Sequence, residues 1–397
     1  MEITLEKINI RNDPYQLFLD SIKNKETARR YKNLLYTFLK LIPNQIYQDV
    51  LGESPEDREK ETLAKFFVEI ARKDADVASN IIAAYIKEDK KRIASGEISA
   101  QTLPNHIKPI KVLLDSNRVA VHWKSLTKLY PRIKRGSNDR GYTREEMQRM
   151  LEVSKDITDK VIILMFSSGG FRLESWDYFT WKDVVFFKKD NGEYKGAALL
   201  VYRDDPEQYW TFITPETCNA LEIYREKWKS DIGRYPKPDE PLIRAVKFPV
   251  IRRLNQKGVR KRIEKVVRAI GLRPPLLPGK KRHEVKLGHG FRKSFNTNMR
   301  RAKVDYLDKE DMMGHKVGLE KHYERYNEED FERFSEYQKA IPFLTISDTE
   351  RVKFENQQLK EEKTYLERKI PVLVEEAVER VKQQMMNQGW QTPQQKI

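Results

Sequence analysis

Apolar residues recur at helical spacing through the first third of the chain and turn strand-like only near its middle. Asn12-Asp13-Pro14 is a helix-start signal, followed by Tyr15, Leu17, Phe18 and Ile22 on one face. A second helix is predicted from Lys25, with Ala28, Tyr31, Leu34, Leu35, Phe38 and Leu41 inward, until Pro43 ends it. Ser54-Pro55-Glu56 opens a third over Leu63, Phe66, Phe67, Ile70 and Ala71. Asp76 to Ile93 makes a fourth, with Ile81, Ile82, Tyr85 and Ile86; Ser99 to Leu114 makes a fifth, interrupted early by Pro104.

Past a polar, basic stretch from Pro131 to Gly141 the pattern changes. Thr143 caps a helix carrying Met147, Met150, Leu151 and Val153. The run VIILMF predicts a buried helix that stops at Ser167-Ser168-Gly169-Gly170, and Arg172 follows at once, trailed by a further helical turn. Val184 to Phe187, Ala198 to Tyr202 and Tyr209 to Ile213 read as three short strands of an antiparallel sheet, the first two joined through Asp190-Asn191-Gly192. Helices are expected from Pro215-Glu216 through Trp228 and from Val250 to Ile270, and a proline-rich loop then leads to His289. In the tail Val352, Leu359 and Leu366 repeat every seven residues, a short heptad seam ended by Pro371, with a short helix after it. That seam suits either contact between protomers or a helix laid on its own domain.

The expected architecture is α+β and mainly helical. It has a helical domain over 1–130, a basic linker over 131–142, a second domain with the small sheet over 143–345, and a helical tail over 346–397.

Composition narrows the partner. The net charge is +16 and the basic residues cluster, at Arg132 to Arg140, Arg252 to Arg268 and Lys280 to Arg282, so an anionic polymer is expected. In the helical third the candidate contact faces are Arg29, Arg30 and Lys32; Lys87, Lys90, Lys91 and Arg92; and Lys108 with Lys111. Cys218 is the sole cysteine, which excludes an internal disulfide and a cysteine-rich zinc module and suits a reducing, intracellular setting. The longest aliphatic or aromatic run, Val161 to Phe166, is too short to span a bilayer, and the N-terminus has no signal-peptide core, so no membrane partner is expected.

The candidate chemistry is concentrated after residue 288. His289 and Arg292 stand three apart, His315 follows in a Gly-His pair, and Tyr323 comes next, with Tyr306, Tyr326 and Tyr337 as rivals. Arginine grips non-bridging phosphate oxygens, histidine moves protons near neutrality, and a phenol can attack phosphorus. Taken alone, Arg172 reads first as an arginine paired with a carboxylate such as Glu174 or Asp177. His289, His315 and His322 have no Cys or carboxylate at ligand spacing, so neither a metal nor a cofactor is expected.

An arginine, a small three-stranded sheet, His-x-x-Arg, Gly-His and then a tyrosine, in that order, resemble the catalytic domain of the tyrosine recombinase (phage integrase) family. The phrases YWTFITPETCNAL, MGHKVGLEKHY and FLTISDTERVKFENQQL resemble integrases of archaeal viruses and integrated elements. The likeness covers residues 10–370 and is strongest from 143 to 345. It implies a helical core-binding, DNA-clamping first domain and a site-specific recombinase that cuts and rejoins double-stranded DNA through a 3′-phosphotyrosyl link. It also implies four protomers on two duplexes. Arg172, His289, Arg292, His315 and Tyr323 match the family's catalytic positions. The family's lysine, between the second and third strands, is replaced here by Arg203, and Lys195 lies upstream. Two alternatives share much of this pattern: a non-catalytic DNA-binding accessory protein derived from an integrase, and a type IB topoisomerase.

Overall fold

The computed structural model describes residues 13–132, 139–245, 250–276, 283–316 and 333–387. The chain divides into two compact units, 1–137 and 138–397.

The described part of the first unit is helical: α1 Pro14–Asp20, α2 Lys25–Leu39, α3 Asn44–Leu51, α4 Lys60–Lys73, α5 Ala75–Ala94, α6 Leu103–Ser116 and α7 Trp123–Thr127. Short polar side chains set the starts. Asp13, Asn24 and Asp74 each accept from two backbone N–H groups of the helix that follows. The inward faces meet around Phe38, whose ring lies edge-on to Phe67 at 5.1 Å.

Three details differ from the sequence expectation. Helix α3 follows Pro43 where none was foreseen, and α4 begins at Lys60 rather than beside Pro55. Pro104 opens α6 instead of interrupting it, because a first-turn residue needs no N–H partner; Pro109 is the proline inside that helix. Arg92, one of the expected outward charges, is spent internally: it donates to Asp89 at 3.0 Å and to Glu97 at 2.6 Å. Asp89 is 1% exposed and its other oxygen lies 2.6 Å from His106 Nδ1, so His106 is a packed histidine.

The second unit begins with α8 Arg144–Val153 and α9 Ile157–Gly169. Two short 3-10 turns, Leu173–Asp177 and Trp181–Asp183, lead to β1 Val184–Lys188, β2 Tyr194–Val201 and β3 Tyr209–Ile213. The strands pair antiparallel in the order β1-β2-β3, with Ala198 opposite Val185 and Phe212. Residues Gly196 to Val201 are buried on both faces. Ala197, Leu199 and Val201 face one core with Phe166 and Leu221, while Ala198 and Phe212 face a second with Phe295, Met299, Tyr337 and Ile341. The central strand therefore reads as a continuous apolar run.

Beyond the sheet come α10 Pro215–Ile232, α11 Gln256–Ala269, α12 Leu287–Arg301, α13 Tyr306–Met312, α14 Arg333–Gln338, α15 Ile341–Leu344 and α16 Asp348–Asn387. Helix α11 starts later than Val250: residues 250–254 are not helical, Arg253 bridges to Arg244, and Asn255 caps the helix. Pro371 does not end the tail helix, which runs through it for 40 residues. The carbonyl it leaves without an N–H partner belongs to Glu367, on an exposed helix where water can reach it. Among the described residues no helix is long and apolar enough to cross a membrane.

Candidate active site

Helix α9 is apolar on every side and is buried from Val161 to Gly169. It ends at Gly170, where φ is 60° and a Cβ would come within 2.3 Å of the Phe295 ring, so only glycine fits. The freed carbonyl of Gly170 accepts from Arg292 Nη1 at 2.7 Å. Two residues on, Arg172 emerges half-buried. Among the described residues no hydrogen bond or ion pair engages its guanidinium. Asp177, one carboxylate the sequence offered it, accepts instead from the Gln256 backbone and side chain, both at 2.8 Å.

Arg292 enters from α12, seated by Phe291, Phe295 and Met299, and is only 6% exposed. Its Nη2 donates to the Met313 carbonyl at 2.5 Å and lies 2.8 Å from His315 Nε2. An arginine can only donate, so His315 Nε2 accepts and the imidazole proton sits on Nδ1. That proton goes to Glu310 Oε2 at 2.5 Å. Burial opposes the Glu310 charge, but bonds from Lys309 and His315 outweigh it and hold the carboxyl below its ordinary value. A chain Glu310–His315–Arg292 thus runs from the end of α13 into the pocket.

The glycine of the Gly-His pair has a steric reason. Gly314 has φ 63°, and a Cβ there would meet the Tyr209 ring at 2.4 Å. Tyr209 is 6% exposed, and among the described residues its hydroxyl meets no hydrogen-bond partner of good geometry. Burial pushes its pKa up to about 12, while the charges of Arg292 and Arg172 pull the other way. Burial is also the main influence lowering the Arg292 pKa, with the Tyr209 phenol opposing and the Arg172 charge assisting.

The remaining candidates fall differently. His289 sits in the first turn of α12, exposed, and its pKa is lowered by partial desolvation and by Lys286 and Arg292. Arg203 lies in the β2–β3 turn, where its Nε is ion-paired to the buried carboxylate of Asp183, and no contact among the described residues joins it to the other candidates. Lys195 lies within β2 rather than ahead of it, and is exposed. Tyr323, with Tyr326 and His322, lies outside the described residues. Of the rivals, Tyr337 is buried and donates to the Ser168 carbonyl at 2.9 Å, while Tyr306 is exposed.

Sequence reasoning missed Glu310 and Tyr209. Glu310 stands five residues before His315, an acid in a charged helix with nothing local to mark it; Tyr209 looks like any first residue of a strand. The arrangement sets the Arg292 guanidinium against a neutral imidazole, with the Arg172 charge near enough to help lower the Arg292 pKa. None of the three acceptors on Arg292 carries a charge, so the pocket keeps its positive charge for an anion. Among the described residues no three His, Cys, Asp or Glu side chains gather as metal ligands would. The linker arginine Arg140 is turned inward, bonded to Glu146 at 2.7 Å and Glu284 at 2.9 Å.

Solved structures similar to this chain are recombinases and integrases. The XerH site-specific recombinase bound to a palindromic difH substrate is 14% identical, with a TM-score of 0.42, over 92% of this chain and 100% of that one. The Tn1549 transposon integrase in complex with transposon right end DNA is 13% identical, with a TM-score of 0.43, over 88% of this chain and 99% of that one. A lambda integrase dimer bound to a COC' core site is 14% identical, with a TM-score of 0.40, over 83% and 98%. No family model matches the chain, and no curated protein matches it.

Proposed function

We propose that this chain is a tyrosine-type site-specific DNA recombinase, an integrase of a mobile element, acting on double-stranded DNA. The observation that carries the reading is the buried Arg292 guanidinium, which has neutral acceptors only, beside an Arg172 engaged by no described group. Such a pair suits the two non-bridging oxygens of a phosphodiester, and in a desolvated pocket each donor is worth a few kcal/mol to the developing charge.

In the proposed reaction the Tyr323 oxygen attacks phosphorus as the bond to the 5′ oxygen breaks. His289, held toward its neutral form, takes the phenol proton. The products are a 3′-phosphotyrosyl link and a 5′ hydroxyl. Attack by the 5′ hydroxyl of another strand reverses the step, so the ester count is unchanged and no ATP is needed. His315 accepts from Arg292, so we assign it a positioning role. Arg203, paired with Asp183, stands at the family's lysine position and can neutralise charge there, but an arginine does not give up a proton. Protonation of the 5′ oxygen then falls to another group. The described residues His315 and Arg333 are both tied to α13. His315 bonds Glu310, and Arg333 bonds Asp308 at 3.1 Å and Asp311 at 2.7 Å. Eight residues separate His315 from Tyr323, a reach of up to about 28 Å. The first unit would clamp DNA, with four protomers working on two intracellular duplexes.

The test uses nicked or 5′-bridging phosphorothioate DNA taken from the sequence flanking the gene. The wild type should trap a covalent adduct, and Tyr323→Phe should trap none. An adduct with the Phe variant would refute Tyr323 as nucleophile. The commitment of Arg203 favours one second reading, a DNA-binding accessory protein without turnover. It requires salt-dependent binding and no adduct from the wild type on any substrate.

A further inference from the structure

Helix α16 runs for 40 residues, about 60 Å, and from Asn356 onward every described residue on it is exposed. Val352, Leu359, Leu366, Ile370, Leu373 and Val381 are between 47% and 62% exposed. At 3.6 residues per turn these six fall within an arc of about 80°, which Val374 and Val378 widen on one side, while Tyr365 lies on another face. An isolated helix gains little from propensity alone, and this one has a proline inside it, so it needs a covered face. Among the described residues the body of its own chain leaves the helix exposed from Asn356 onward, and its first turn is tied down where Gln148 bonds Asp348 at 3.0 Å.

Charge decides what does. The whole chain carries +16, yet between Asp348 and Asn387 there are eight Lys and Arg against nine Asp and Glu. A near-neutral helix has no attraction for nucleic acid or an anionic bilayer, both of which call for a basic face. Its charges pair among themselves along the surface, as Lys363 does with Glu367 at 3.7 Å and Arg380 with Glu376 at 3.4 Å. What remains is the apolar seam, with steps of seven residues from Val352 to Leu373, which an identical seam complements. The seam offers several hundred Å² a side, the scale of a standard interface at about 800 Å² per partner.

We propose that α16 is a self-association helix whose apolar seam packs against the same seam of a second copy of this chain, without DNA. Sedimentation of the full chain, free of nucleic acid, across the micromolar range tests it. The wild type should associate. The double variant Leu366→Glu, Leu373→Glu should sediment as a monomer whose thermal midpoint no longer depends on protein concentration, since both residues are exposed. Arg368→Ala, opposite the seam, should associate as the wild type does. A wild type that stays monomeric throughout overturns the proposal, and so does a double variant that associates as tightly as the wild type. Binding of a monomeric wild type to phosphatidylserine vesicles would overturn it in favour of a membrane face.

Discussion

Each unit of this protein gathers a carboxylate, an imidazole and a guanidinium in one cluster, and the two clusters are built the opposite way round. In the first unit the carboxylate is innermost: Asp89 is 1% exposed, the His106 side chain 11%, and the Arg92 side chain at the rim 34%. Every charge there meets an opposite one, Arg92 taking Glu97 as well. In the second unit the guanidinium is innermost, and the carboxylate reaches it only through His315, whose side chain is 38% exposed. A buried carboxylate ringed by donors is complete. A buried cation held by carbonyls and a neutral ring has been oriented without being neutralised, and that is what a pocket for an anion requires.

The sharpest break of this contrast is at Arg292. Arg292→Lys keeps the charge but cannot span the Gly170 carbonyl, the Met313 carbonyl and His315 together. Adduct formation on the nicked substrate should fall by about 10²–10³-fold, the usual cost of one lost transition-state donor. DNA affinity should change far less, because the basic surfaces remain. An equal loss in binding and cleavage would mean that Arg292 is merely structural.

How much of this was legible beforehand follows from how local each feature is. The helix starts at Asp13 and Thr143 were readable because a cap is decided within four residues. So was the stop of α9, since no side chain but glycine tolerates both the turn and Phe295. The sequence placed His289 and Arg292 on neighbouring turns of one helix, yet it could not tell that one is exposed and the other buried. That difference is made by Gly170 and Met313, which approach Arg292 from elsewhere in the chain. Glu310 was invisible for the same reason. Pro371 misled because a proline is read as a helix end, although an exposed helix can leave one carbonyl to water and continue.

The link between Glu310 and His315 offers a second, smaller lever. Glu310→Gln can still accept from His315 Nδ1, but it removes the charge that fixes the tautomer and leaves Lys309, 2.8 Å away, without its counter-ion. Loss of such an orienting partner typically costs about 10–100-fold, and adduct formation should fall toward the lower end. The pH dependence separates this from general damage. The folded-state pKa of Glu310 is depressed, so its stabilisation is present above the ordinary glutamate value of 4.5 and is lost as pH falls through the folded value. Thermal midpoints of wild type and variant should therefore differ at neutral pH and converge in acid. A gap that is constant with pH would remove the carboxylate from the account.

The least effect on chemistry is expected where the cluster is complete. Asp89→Asn leaves His106 and Arg92 facing an amide, and weakening such a buried hydrogen-bonded acceptor costs about 1–3 kcal/mol. The first unit should melt at a visibly lower temperature. Adduct formed per correctly folded molecule at saturating DNA should nevertheless stay within twofold of wild type, because nothing in the Asp89 cluster is left uncompensated for a phosphate to meet. A large fall in that quantity, with the fold shown intact by circular dichroism, would mean that the inward-facing carboxylate also serves the reaction, and the two clusters would then differ in location rather than in kind.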